Sequence, residues 1–124
     1  MSIFKKGETM AKSTDATTII STGSKIKGDL ELTAKLHIEG EIEGKINSIN
    51  SISIGKTGII NGEIIANKLL VDGMFNGKVE VDVLEITKSG KVKGDIIIKD
   101  LIIEQGGIFE GTSILKKKDA SKKS

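Results

Sequence analysis

The chain has 124 residues and contains no cysteine, proline, tryptophan or tyrosine. That excludes a disulfide framework, a thiol nucleophile and a thiolate metal site, and leaves almost no aromatic surface for stacking bases. The net charge of +2 is unevenly spread: residues 17–115 carry 11 lysines against 14 acidic residues, so the body is negative and lacks the field that neutralises a phosphate backbone. Its length suits one domain with one core.

Residues 1–16 are rich in Ser, Thr, Lys and Ala, lie outside any periodic pattern and are expected to form a flexible tail. They show no apolar run long enough for a signal peptide, and no segment of the chain approaches the roughly 20 apolar residues of a membrane span. The default address is therefore the cytoplasm.

From residue 17 a repeat takes over. Its mark is a glycine, any residue, an apolar residue, any residue and a second glycine. The copies are Gly40–Gly44, Gly58–Gly62, Gly73–Gly77, Gly90–Gly94 and Gly107–Gly111, with Ser24–Gly28 as a first copy in which serine replaces the leading glycine. The second glycines stand at 28, 44, 62, 77, 94 and 111, so the steps are 16, 18, 15, 17 and 17 residues.

An apolar pair with one residue between precedes each full block: Leu36/Ile38, Ile52/Ile54, Leu69/Val71, Leu84/Ile86 and Leu101/Ile103. This alternation is that of a half-buried strand. A further apolar residue follows each second glycine by two positions, as Leu30, Ile46, Ile64, Val79 and Ile96, and by three as Ile114. With the block centres Ile26, Ile42, Ile60, Phe75, Val92 and Phe109, and with Val81 and Ile98, these residues form the expected core.

Each repeat thus reads as three short strands and their corners. Strands this short cannot pair within one repeat, whereas stacking each repeat on the next pairs every strand with its equivalent. The expectation is an all-β, single-domain β-helix, a solenoid of about six coils of 15–18 residues with a triangular section, spanning residues 17–115. At about 4.8 Å per coil such a rod is roughly 29 Å long. Glycine suits the corners, because it reaches positive φ and lets successive coils approach closely. Residues 116–124, with five lysines, read as a second flexible tail.

Little chemistry is evident. His37, the one histidine, sits between Leu36 and Ile38, and alternation points it outward. A histidine-dependent acyltransferase of the hexapeptide type also uses a β-helix, but its corners recur every six residues. Glu39, Glu41 and Glu43 are expected on one outward face, flanked by Lys25, Lys27 and Lys45, where they read as a solvated face before they read as a calcium site. No phosphate-binding Gly-rich loop is present, and neither a catalytic residue nor a cofactor or metal ligand set is assigned.

Function points to the ends. A solenoid exposes unpaired backbone and the section of its core at its first and last coils unless something covers them. The last coil carries Ile108, Phe109 and Ile114 and runs directly into Lys116–Lys118; the first carries Ile19, Ile20 and Ile26 behind polar sequence. These six residues are the candidate junction for end-to-end stacking of a homopolymer. Ile65 and Ile97 share one outward repeat position and Leu70 and Ile102 another, a candidate stripe for lateral bundling or for a partner protein.

The Gly-x-apolar-x-Gly blocks and the apolar pairs before them resemble those of the bactofilins, bacterial cytoskeletal proteins, over about four-fifths of the chain. The resemblance implies a right-handed triangular β-helix that polymerises without nucleotide into non-polar filaments beneath the cytoplasmic membrane and positions cell-wall-modifying enzymes that affect cell shape. The residues themselves leave head-to-head or head-to-tail order open. By the same resemblance Met1, Ile3, Phe4, Lys5 and Lys6 look like a membrane-targeting peptide, with Ile3 and Phe4 entering the interface and the two lysines facing anionic lipid. The partners so implied are the chain itself, membrane lipids and cell-wall enzymes, with neither nucleic acid nor nucleotide. The competing reading is a discrete β-helical module that binds a cation or sugar through Glu39–Glu43, and an enzyme built around His37 comes third.

Overall fold

A strand of four residues with one apolar face gains little alone; it persists only if both edges find partners and its apolar face is covered. The computed structural model, which describes residues 17–116, meets both demands by winding. The strands are β1 Thr17–Ile20, β2 Lys25–Leu32, β3 Lys35–Ile38, β4 Glu41–Ser48, β5 Ser51–Ile54, β6 Ile59–Ile65, β7 Lys68–Val71, β8 Met74–Glu80, β9 Val83–Ile86, β10 Lys91–Ile98, β11 Asp100–Ile103 and β12 Ile108–Leu115. Odd-numbered strands form one six-stranded sheet in the order β1-β3-β5-β7-β9-β11, even-numbered strands a second in the order β2-β4-β6-β8-β10-β12, and the pairings are parallel. The chain is thus a six-turn β-solenoid, as its repeat predicts.

One expectation needs correction. A coil holds two strands rather than three, because the second and third run on as one long strand through the second glycine. Gly28, Gly44, Gly62, Gly77, Gly94 and Gly111 pair in register from β2 to β12. Their φ values of 125–143° lie where a side chain is strained, so the strand turns a corner without leaving its ladder. Two faces of the section come from each long strand and the third from the short one. At the leading glycines the constraint is space instead. Gly58 has no positive φ, yet a Cβ there would stand 2.3 Å from the Ile38 carbonyl oxygen.

Inside the rod the predicted apolar columns are buried. Leu36, Ile38, Ile42, Ile46, Ile52, Ile54, Ile60, Ile64, Leu69, Val71, Phe75, Val79, Leu84, Ile86, Val92 and Ile96 are all sealed from solvent. At about 1.5–3 kcal/mol per buried side chain, this column is the main source of stability. A further inward column escaped the sequence pattern: Leu32, Ser48, Ala66, Val81, Ile98 and Leu115, of which only Val81 and Ile98 were expected. Its members are small or polar in the middle coils, so apolarity does not mark the position.

Ile114 is corrected as well. It pairs with Ile97 on the outer surface, while Ser113 takes the inward place beside Ile96. Leu101 and Ile103 occupy inward positions as expected, but being in the last coil they remain 36% and 42% exposed. Both proposed tails fall outside the described residues, apart from Lys116, whose amine lies 2.9 Å from Asp82 Oδ1.

Candidate functional site

The two ends differ from the rest of the rod in what they leave uncovered. Among the described residues β11 pairs only with β9 and β12 only with β10, so each shows one ladder edge without a partner there; β1 and β2 are in the same position at the other end. Register fixes which side chains cap the last section. Leu101, Ile103, Phe109, Ser113 and Leu115 continue the columns of Leu84, Ile86, Val92, Ile96 and Ile98. Phe109 packs against the core yet is only half-buried, and Leu115 is 72% exposed. The outward neighbours Ile102, Ile108 and Ile114 add exposed apolar surface around this section, which Ser113 interrupts.

The first coil is different in kind. Ile20 is 8% exposed, and Ile26, Leu30 and Leu32 are half-buried against the core, so less apolar surface waits for a partner there. Its rim is ionic: Lys25, Lys27, Asp29 and Glu31 flank Gly28 on the outer side of β2, and all four are exposed. Ile19 points outward, 63% exposed. Of the six junction residues expected from sequence, Ile20, Ile26 and Phe109 therefore face the section, whereas Ile19, Ile108 and Ile114 form its rim. Leu115 and Leu32 were missed, although each shares its repeat position with buried residues.

Along the sides, Ile65 and Ile97 stand in one outward column with Asn47, Glu80 and Ile114. Leu70 and Ile102 share another with Ser53 and Glu85. Both columns are interrupted by a glutamate, and the two pairs lie on different faces. Met1, Ile3, Phe4, Lys5 and Lys6 lie outside the described residues.

His37 does point outward, and it joins two coils. Its Nε2 lies 2.8 Å from Glu39 Oε2 and its Nδ1 3.1 Å from Ser53 Oγ. The Thr57 hydroxyl donates to Glu39 as well, at 2.9 Å from Oε1. The hydrogen bond from His37, and after it that from Thr57, hold the Glu39 carboxyl below the usual carboxylate range. Serine, histidine and glutamate thus stand in the order of a hydrolytic relay. Ser53, however, sits mid-strand in β5, between β3 and β7, so the ladder engages the surrounding N–H groups and leaves no donor pair for an oxyanion. The cluster reads as a clasp between coils.

Glu39 is thus engaged by His37 and Thr57. Glu41 and Glu43 belong to a ladder with Lys25 and Lys27, at 3.9 and 3.7 Å. An open groove of about 340 Å³ runs past Thr22, Glu39, Glu41, Thr57 and Ile59. Among the described residues no three His, Asp or Glu side chains are grouped to hold a metal ion. Near the last coil, the Lys116 amine is the first cause that holds the Asp82 carboxyl below its ordinary range, with Lys99 adding to it.

Comparison with known proteins agrees with this geometry. The family model "Bactofilin: Polymer-forming cytoskeletal" matches residues 18–114. Bactofilin BacP of Myxococcus xanthus (strain DK1622) is 25% identical over 105 residues, which cover 84% of this chain and 44% of BacP. Bactofilin BacO of the same organism is 27% identical over 97 residues, 77% of each chain. The chain thus spans less than half the length of BacP. No solved structure matches significantly.

Proposed function

The chain belongs to the bactofilin family of polymer-forming cytoskeletal proteins, and from that premise we propose that it stacks end to end into filaments without nucleotide, as a non-enzymatic scaffold. The observation that carries this reading is the last coil, where Leu101, Ile103, Phe109 and Leu115 hold core positions with nothing over them among the described residues. A second subunit laid on that edge continues the ladder and buries those side chains as an internal coil buries its own.

Electron microscopy of the purified chain beside Phe109→Arg, at matched concentration and without nucleotide, tests it. Filaments are expected from the parent and short or single particles from the variant, because a guanidinium buried at the junction would lack a counter-charge. Filaments from both would move the junction away from the last coil, and discrete particles from both would end the scaffold reading.

At the inner face of the cytoplasmic membrane, the proposed scaffold positions cell-wall factors. Ile3 and Phe4 would each contribute at most about 1.5–3 kcal/mol of insertion, and Lys5 and Lys6 roughly 1 kcal/mol apiece on anionic lipid. One copy binds weakly, but a filament presents many and gains avidity with no new contact. Co-sedimentation with anionic vesicles is expected for filaments of the full chain and not for a chain lacking residues 1–6; equal pelleting of both would remove the targeting role.

A further inference from the structure

The first halves of the long strands β2, β4, β6, β8, β10 and β12 make up one side face of the rod, and each coil presents two outward side chains on it. The first coil presents Lys25 and Lys27, the second Glu41 and Glu43. The two middle coils are uncharged there, with Ile59 and Asn61 followed by Met74 and Asn76. Lys91 and Lys93 stand on the fifth coil, and Ile108 and Glu110 on the sixth. Within the chain these charges are loosely held. Lys25–Glu41, Lys27–Glu43 and Lys93–Glu110 are 3.9, 3.7 and 3.8 Å apart, and Lys91 makes no ion pair among the described residues.

The order of charges is reversed in sign about the middle of the rod, which decides how this face can meet itself. A two-fold axis parallel to the rod sets each coil on its own copy and opposes Lys25 to Lys27, Glu41 to Glu43 and Lys91 to Lys93, all like charges. A two-fold axis along the strands, between the third and fourth coils, runs the two rods antiparallel instead. Glu41 then meets Lys91 of the second copy, Glu43 meets its Lys93 and Lys27 its Glu110, each twice by symmetry. At the axis Ile59 meets Met74, and Asn61 meets Asn76, extending the amide bond that Asn76 Nδ2 donates to Asn61 Oδ1 at 3.1 Å. Lys25 opposite Ile108 is the one unmatched pair.

Shape follows the same rule. The corner that leads into this face is four residues long at 21–24, 55–58, 87–90 and 104–107, but two residues long at 39–40 and 72–73. The long corners at 55–58 and 87–90 are closed turns, with Gly58 N–H donating to the Gly55 carbonyl at 2.8 Å and Gly90 N–H to that of Thr87 at 2.9 Å. Each short corner is therefore a notch between longer ones. The groove of about 340 Å³ at Glu39 is such a notch, and it opens on this face beside Lys25, Glu41 and Ile59. In the antiparallel arrangement corner 87–90 of the second copy stands over that groove and corner 55–58 over the notch at 72–73. Lys88, exposed and in no ion pair among the described residues, is thereby brought to Glu39 and Glu41 of the other rod. Only the end coils set a long corner against a long one.

We propose that this face binds the same face of a second copy, with the rods antiparallel and centred between the third and fourth coils, so that filaments associate side by side in pairs. The inference rests on the filament reading, because the face is small. Three residues wide and six coils long, it measures about 10 Å by 29 Å, against about 800 Å² per partner in a stable two-chain contact. Single rods therefore do not hold one another, whereas a filament presents the face at regular intervals and gains avidity. Pairing of this kind is separate from bundles built on Ile65 and Ile97, which lie on the neighbouring face.

The test is carbodiimide cross-linking of the full chain, which joins a carboxylate to an amine only in direct contact. It is read by mass spectrometry on an equal mixture of isotope-labelled and unlabelled chain, with electron microscopy beside it. Links between copies from Glu41 to Lys91 and from Glu43 to Lys93 are expected, with filaments seen in pairs. Within one rod, and across an end junction of either order, those positions are at least three coils or about 14 Å apart, so neither source mimics the signal. Glu41→Lys with Glu43→Lys should give filaments that stay single, and so should Lys91→Glu with Lys93→Glu, because like charges then face each other. The chain carrying all four substitutions should pair again, which guards against misfolding of either double variant. Parent filaments that lack both links would overturn the pairing and leave end stacking in place. So would paired filaments from both double variants, or single ones from the fourfold chain. A parent that forms no filament would refute end stacking, and this pairing with it.

Discussion

Alanine in place of Gly77 puts a methyl carbon 1.9 Å from the Gly62 carbonyl oxygen and 2.9 Å from its carbon, at a backbone φ of 134°. The obstacle is backbone, so no side chain can swing aside, and two penalties add. Holding a non-glycine residue in that region costs about 1–3 kcal/mol. Relieving the overlap means parting two coils whose ladder holds them about 4.8 Å apart, which brings the total to the exceptional range of about 4–5 kcal/mol. Gly28 is a matched control, with φ at 132° and nothing within 4 Å of a Cβ, so Gly28→Ala carries the strain of about 1–3 kcal/mol alone. Both substitutions belong in a Phe109→Arg background, where end contacts are expected to contribute little. Urea unfolding should be followed by far-ultraviolet circular dichroism, since the chain has neither tryptophan nor tyrosine. Equal losses at the two positions would refute the argument that close approach of the coils fixes this glycine column.

Two further outcomes concern the surface. Glu39 is held below the usual range by its hydrogen bonds from His37 and Thr57, so its contribution to stability is present above about pH 4.3 and is lost as pH falls through the lower, folded value. His37→Ala should flatten that acid limb of the urea midpoint against pH; an unchanged limb would remove the clasp as its cause. Lysine at both Ile65 and Ile97 should leave single filaments intact and abolish lateral bundles, and bundling that persists in the electron microscope would dismiss the stripe.

The solenoid is legible in the sequence because its constraint is local and repeated. Gly44, Gly62, Gly77 and Gly94 stand at the same corner of successive coils, and the pairs from Leu36/Ile38 to Leu84/Ile86 alternate as their burial demands. The sequence pattern fails where repetition weakens. Ile114 reads as inward because it is apolar, but counting from Gly111 gives that place to Ser113, in a coil that no other described coil covers. Leu32 and Leu115 escape the pattern because Ser48 and Ala66 occupy their column in the middle of the rod. That each long strand passes unbroken through its corner depends on backbone φ, which composition does not encode. The His37 clasp joins residues 16 positions apart, and no spacing rule announces it.

Magnitudes explain why the two ends should not behave alike. At the last coil, Leu101, Ile103 and Leu115 keep 36%, 42% and 72% of their surface exposed, and Phe109 is half-buried. Covering such a side chain fully is worth about 1.5–3 kcal/mol, so completing the burial of all four recovers roughly half of that each. The sum is on the order of 3–6 kcal/mol for each last coil that is covered. Loss of free translation and rotation costs about 4–15 kcal/mol, a comparable amount, so the apolar term and the ladder hydrogen bonds at about 0.5–1.5 kcal/mol each are together enough to decide the balance. The first coil has less to gain in this way, because Ile20 is already 8% exposed and Ile26, Leu30 and Leu32 are half-buried. A contact there would draw more on ladder hydrogen bonds. In the proposed filament Phe109→Arg is therefore expected to open the last-coil contact.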